Sequence, residues 1–171
     1  MTPEQGIEIR PALKSDAAQI QTLWNQVISE TTHTFTTQAK SVGAIETLIE
    51  TMVPGRRVVC ALQGAIETRV LLGFALSGEF RGGPGYSATV EHSIYLDPKA
   101  QGQGLGRRLL DVLFAKLAED GITASIAGIS GENHGAIAFH ERMGLAHVGR
   151  LPQVGQKWGR KIDLVLMQKT L

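Results

Sequence analysis

Residues 101–110, QGQGLGRRLL, constrain this chain more than any other stretch. Glycines fall on three alternate positions, 102, 104 and 106, just ahead of a helix-like pattern. Leu105, Leu109, Leu110, Leu113, Phe114 and Leu117 form a wide apolar stripe, Arg107, Arg108, Asp111 and Lys116 lie largely off it, and Gly121 suits the C′ position. A strand-like run ends just before, at LDP. Strand, glycine turn and helix in that order bring unbonded backbone N–H groups and the positive end of a helix dipole to one spot, which suits phosphate. Glycine matters there because it reaches φ > 0 without strain and lets an anion approach the main chain closely. A tight turn without a ligand is the plain alternative. Gln101, Gln103, Arg107 and Arg108 around the glycines favour a ligand.

The rest of the chain supplies a setting for that turn. IEIRPA alternates like a short strand, and Ser15 or Asp16 is placed to cap a helix carrying Ile20, Leu23, Trp24 and Val27. A loop around TTHTFTT leads to a second helix over 41–52, which Pro54 and Gly55 stop. RRVVCAL and RVLLGFALSGEF read as a hairpin, RGGPGY as a loop, and SATVEHSIYLDP as the strand before the glycines. After the long helix, ITASIAGI is a buried strand, NHGAIAFHERM a helix ended by Gly144, and LAHVGRLPQ with KIDLVLMQ two closing strands. This order predicts an α/β (α+β) fold, a mixed sheet with helices laid on it. One domain over 1–171 is expected, since a chain of 171 residues buries about 70% of its unfolded surface.

Composition narrows the partners. Seventeen basic against 16 acidic side chains leave no bulk field for nucleic acid or anionic membrane, so any anion must be held locally. The single cysteine, Cys60, sits in an apolar run, which leaves neither a disulfide framework nor a metal cluster. His33, His92, His134 and His147 show no metal-ligand spacing. Without a spanning apolar run or a signal-like start, the cytoplasm is the expected compartment.

The identity of the phosphate ligand turns on the residues between and after the glycines. A P-loop needs Lys followed by Ser or Thr after its last glycine, where this chain has Arg107, Arg108 and Leu109. A dinucleotide fingerprint needs glycine at 107 or 109, and neither has it. QGQGLG instead matches Q-x-x-G-x-G/A, the pyrophosphate loop of coenzyme A-dependent acyltransferases.

TVEHSIYLDPKAQGQGLGRRLL, AGISGENHGAIAFHERMGL and VGRLPQVGQKWGRKIDLVLMQ, taken together, resemble the GNAT superfamily of N-acetyltransferases, in particular the phosphinothricin and methionine sulfoximine acetyltransferases. The resemblance runs from Ile7 to about Lys169. It implies a mostly antiparallel mixed sheet with helices on both faces, acetyl-CoA as co-substrate without a metal, a small amino-acid-like amine as acceptor, and a homodimer. It places the pyrophosphate on main-chain amides of Gly102, Gln103, Gly104, Leu105 and Gly106 with help from Arg107, and the pantetheine arm along Ile94, Tyr95 and Leu96. Asn133 matches a cofactor-contacting asparagine, although an Asn before a helix also reads as a cap. Glu91 matches the proposed general base, and His140 stands where many relatives carry a tyrosine that protonates the departing thiolate. The acceptor is expected against Glu91, His92 and Ser93, with Phe35 from the loop after the first helix, Arg81 from the loop before the VEH strand and Lys157 from near the C-terminus. Trp158, Lys161 and Ile162 depart from the pattern, which leaves the acceptor open.

The chemistry fits those residue types independently. A protonated amine must lose a proton before it attacks a thioester, and a carboxylate does this best when partial burial lifts its pKa toward neutrality. Strand alternation sets Glu91, Ser93 and Tyr95 on one face and His92, Ile94 and Leu96 on the other. A solvated strand carboxylate and a packed structural His140 are the plain alternatives. Direct transfer in a ternary complex is expected, because Cys60 lies far along the sequence from Glu91 and His140. Acetylation of a protein N-terminus or polyamine, a CoA-binding module without turnover, and a dinucleotide oxidoreductase are the other classes in play.

Overall fold

The computed structural model describes residues 6–171. Its elements follow the chain as β1 (Ile7–Pro11), α1 (Ala17–Glu30), α2 (Val42–Glu50), β2 (Val58–Gln63), β3 (Val70–Glu79), β4 (Thr89–Leu96), α3 (Leu105–Glu119), β5 (Ala124–Ser130), α4 (His134–Arg142), β6 (Ala146–Lys157) and β7 (Arg160–Thr170). The strands form one 7-stranded sheet in the order β1-β2-β3-β4-β5-β7-β6. Every pairing is antiparallel except β4 with β5. The exception follows from α3, whose crossover returns the chain to the same edge in the same direction.

Helices cover both faces, so inner strands are buried on both sides. In β2, Val58, Cys60 and Leu62 join Ile20, Leu23, Ile45 and Ile49 of α1 and α2, whereas Val59 and Ala61 join the α3 cluster of Leu109, Leu110, Leu113 and Leu117. Cys60 is fully buried, which pushes its thiol far up and keeps it unreactive.

Local chemistry sets most helix ends. Ser41 Oγ accepts from Ala44 N at 3.1 Å and starts α2, Asn133 does the same for α4 through Ala136 N, and Gly121 lies just past α3 with φ +81°. The cap expected for α1 is different. Asp16 makes no capping bond, because its carboxylate accepts from Leu13 N and pairs with Arg10, both at 2.7 Å. The closing strand β6 runs past the predicted LAHVGRLPQ as far as Lys157. A register shift between Leu151 and Gly155, with Gln153 at φ +56°, lets it bend and continue to a tight turn at Trp158 and Gly159.

Candidate active site

Strands β4 and β5 pair only from Thr89↔Ala124 to His92↔Ala127. Beyond that point β4 stays paired with β3 through Leu96↔Gly73, and β5 with β7 through Ser130↔Leu164. The two strands therefore part in mid-sheet, and among the described residues the β4 edge from Ser93 to Leu96 pairs with no strand on the β5 side. A cavity of about 670 Å³ opens in the gap. It runs through the sheet, from Val27 and Phe35 on the α1 side to Asn133, Phe139 and His140 on the α4 side. Its size suits a small-molecule site.

The glycine turn lies at one mouth, with Gln101 and Gly102 in the lining. The three glycines serve two purposes. Gly102 and Gly104 both have φ +75°, with no atom within 4 Å of where a Cβ would stand, so conformation demands them and open space faces them. Gly106 is demanded by packing, since a Cβ there would meet the Phe139 ring at 3.1 Å. The first bond back into α3 is Arg108 N to Gly104 O, so the N–H groups ahead of it have no carbonyl inside the helix and point toward the turn. Leu105 and Gly106 are buried, and Gln103 is exposed with its amide on Lys99 O. Arg107 is exposed and donates to Arg142 O at 3.2 Å, while Arg142 itself lines the cavity. The expected cation thus has a neighbour in Arg142 that the motif did not single out. Ile94, Tyr95, Leu96 and Asn133 all line the cavity.

Glu91 lies between the two ends. Its exposed surface is cavity wall, and partial desolvation raises its carboxyl pKa. Gly128 on β5 makes room for it, since a Cβ there would stand 2.8 Å from Glu91 Oε1. Ser93 and Tyr95 share its face, with Tyr95 packed on Phe74 and Trp24 at ring distances of 5.0 and 5.6 Å.

His140 is buried, and Nδ1 lies 2.7 Å from Ala136 O. A carbonyl only accepts, so Nδ1 carries the proton and Nε2 is an acceptor in the neutral ring. Burial lowers its pKa and favours that neutral form. Donation to a thiolate therefore needs a second proton on Nε2 first. His92, expected in the acceptor set, lines the cavity but turns its ring away from it. Its ring points to the opposite face from Glu91, 2% exposed, edge-on to Phe114 and 2.7 Å from Ser125 Oγ through Nδ1. Burial, followed by the nearby His140, holds its pKa down to about 3.

Phe35, His33 and Thr34 wall the cavity on the α1 side, where the acceptor is expected. Two expected members lie elsewhere. Arg81 stands on the exposed loop before β4 with its guanidinium 5.6 Å from the Phe80 ring, outside the lining. Lys157 is 2% exposed, and its ammonium donates to Ile28 O at 2.7 Å and Thr34 O at 2.9 Å rather than to the cavity. Gly128, Gly155 and Arg142 were not legible as site residues, because each matters only through a partner distant in sequence.

An unpaired strand edge running toward a glycine-turned helix end leaves room for an extended ligand with an anionic tip, and the fold is that of a coenzyme A-dependent acyltransferase. The sequence profile of the acetyltransferase (GNAT) family matches residues 24–145, and the chain belongs to that family. It is 33% identical to the L-amino acid N-acyltransferase MnaT of Escherichia coli (strain K12) over 165 residues, 96% of this chain and 94% of that protein. Identity is also 33% with the L-methionine sulfoximine/L-methionine sulfone acetyltransferase of Pseudomonas aeruginosa, over 95% of this chain and 94% of that one. The phosphinothricin acetyltransferase of Sinorhizobium meliloti, solved in complex with AcCoA, superposes with a TM-score of 0.87 at 28% identity, covering 98% of this chain and 89% of that chain. The protein is an acetyl-CoA-dependent N-acetyltransferase.

Proposed function

We propose that the acceptor is the primary amine of a small amino-acid-like molecule of the methionine sulfoximine, methionine sulfone or phosphinothricin type, acetylated by direct transfer in a ternary complex. Acetyl-CoA supplies an activated acyl carbon. The observation that carries the assignment of roles is the position of Glu91: a desolvated carboxylate in the gap of the sheet, where the glycine-turn end and the Phe35 end of the cavity meet. There it takes the proton of the incoming ammonium, directly or through a water.

The geometry supports the other roles that the resemblance implies. Main-chain N–H groups from Gly102 to Gly106, with Arg107 and Arg142 close by, hold the diphosphate. The unpaired β4 edge at Ile94, Tyr95 and Leu96 binds the pantetheine arm as a strand would be bound, and Asn133 contacts the same ligand while capping α4. Phe35 and Ser93 face the acceptor. With Nδ1 committed to Ala136 O, His140 Nε2 is without a proton at rest and returns one to sulfur only once it has gained one. Holding amine and acyl carbon together supplies up to about 7–11 kcal/mol of the barrier, more than any one proton transfer. The chain acts as one domain in the cytoplasm, as a homodimer; β6, at the sheet edge, exposes Val148, Leu151 and Val154, and the turn after it exposes Trp158, apolar surface suited to a second copy.

A thiol-release assay tests the acceptor. Methionine sulfoximine, methionine sulfone, phosphinothricin, ordinary amino acids, polyamines and N-terminal peptides are each added with acetyl-CoA. CoA thiol is expected only with the amino-acid-like amines. Release with peptides or polyamines alone would contradict the assignment.

A further inference from the structure

Three ties meet at the α1–α2 loop that carries Phe35. The buried Lys157 ammonium holds Ile28 O, a terminal carbonyl of α1, and Thr34 O. A cation is favoured at that end of a helix, and two of its three N–H groups are engaged. Glu132, next to Asn133, accepts from the Thr32 hydroxyl at 2.7 Å and pairs with Arg160. The Phe35 ring sits on Gly155, so closely that a Cβ there would stand 2.3 Å from it. Lys157, Arg160 and Gly155 all belong to the hairpin of β6 and β7, while Phe35 itself lines the cavity. A ring seated on backbone cannot move toward the hairpin. Any added atom at 155 must drive it the other way.

We propose that the β6–β7 hairpin sets the size of acceptor: Lys157 is a positioning residue that holds the 31–35 loop, and Gly155 is the seat that fixes how far the Phe35 ring projects into the cavity. The inference rests on the reading of this cavity as the acceptor site. The ligand it selects is an amino acid whose side chain passes the ring.

Two measurements on the intact enzyme test it. In Lys157→Met, amide hydrogen exchange of residues 31–36 rises about 10-fold or more while that of α3 is unchanged, and Lys157→Arg, which still offers two donors, restores most of the protection. In Gly155→Ala, kcat/KM falls about 10-fold or more for L-methionine sulfoximine but less than about 3-fold for L-alanine, Phe35→Ala shifts the preference the opposite way, and KM for acetyl-CoA stays within about 2-fold in both. Unchanged loop exchange in Lys157→Met, or an equal loss for all amines in Gly155→Ala, would overturn the proposal. A wild-type enzyme that releases no thiol with any amine would sink the acceptor reading and the size selection with it, while the exchange data would still decide whether Lys157 holds the loop.

Discussion

The proposed coenzyme end and the proposed acceptor end of the cavity are built in different ways. The coenzyme end is made of backbone from one contiguous stretch, β4 through the glycine turn into α3, with α4 closing over it. The acceptor end is made of side chains gathered from far apart, Phe35 on one loop, its seat Gly155 and its anchor Lys157 more than a hundred residues later. A main-chain site can serve one invariant ligand, since N–H groups are the same whatever the side chains. A side-chain site changes with each substitution, which is how one fold comes to acetylate different amines.

Glu91 belongs to neither end, and the largest effect is expected there. Glu91→Gln should lower kcat about 100-fold or more with little change in either KM, because general-base removal costs on the order of 10²–10⁴ in rate. In the wild type, kcat/KM should fall as pH drops through a pKa raised above the ordinary 4.5 of a Glu carboxyl, since only the carboxylate accepts a proton. The variant should lack that acid limb.

The floor beneath the gap gives the next test. The His92 pKa is held to about 3 in the fold against 6.5 when unfolded, so the unfolded chain binds more protons between those values. Stability should therefore decline by about 1.4 kcal/mol per pH unit as pH falls from 6.5, and His140 adds to the same trend. His92→Leu should unfold more easily at pH 7, with the Ser125 hydroxyl left alone, yet show a shallower pH slope in urea titrations.

Two smaller effects separate the ends. Gly104→Val forces a branched residue to φ +75° and should raise KM for acetyl-CoA about 10-fold, the equivalent of 1–2 kcal/mol of backbone strain, while KM for the amine stays put. A matching rise in amine KM would show that the ends are not independent. Asn133→Ala removes the α4 cap and should cost about 1 kcal/mol in thermal unfolding. A rise in KM for acetyl-CoA in that variant would add a coenzyme contact to the cap.

The same division governs what the sequence revealed. The glycine turn, the stripe of α3, the cap Asn133 and the two faces of β4 were legible because each depends on neighbours a few residues away. Asp16 was misread as a cap, since Arg10 and Leu13 N compete for its carboxylate. The resemblance put Lys157 and Arg81 in the acceptor site, but one is tied to carbonyls from α1 and the loop beyond it and the other rests on Phe80. Gly128 and Gly155 gave no signal at all. Their meaning lies in the side chains of Glu91 and Phe35, which only the folded sheet brings to them.

The central claim is that a backbone-built coenzyme end delivers the acyl carbon to Glu91, and a crystal structure with acetyl-CoA tests it most directly. The diphosphate should rest on the N–H groups from Gly102 to Arg107, with the pantetheine arm along Ser93 to Leu96 and the thioester beside the Glu91 carboxylate. Coenzyme bound elsewhere, or a side chain of the protein itself seated on that helix end, would contradict the account.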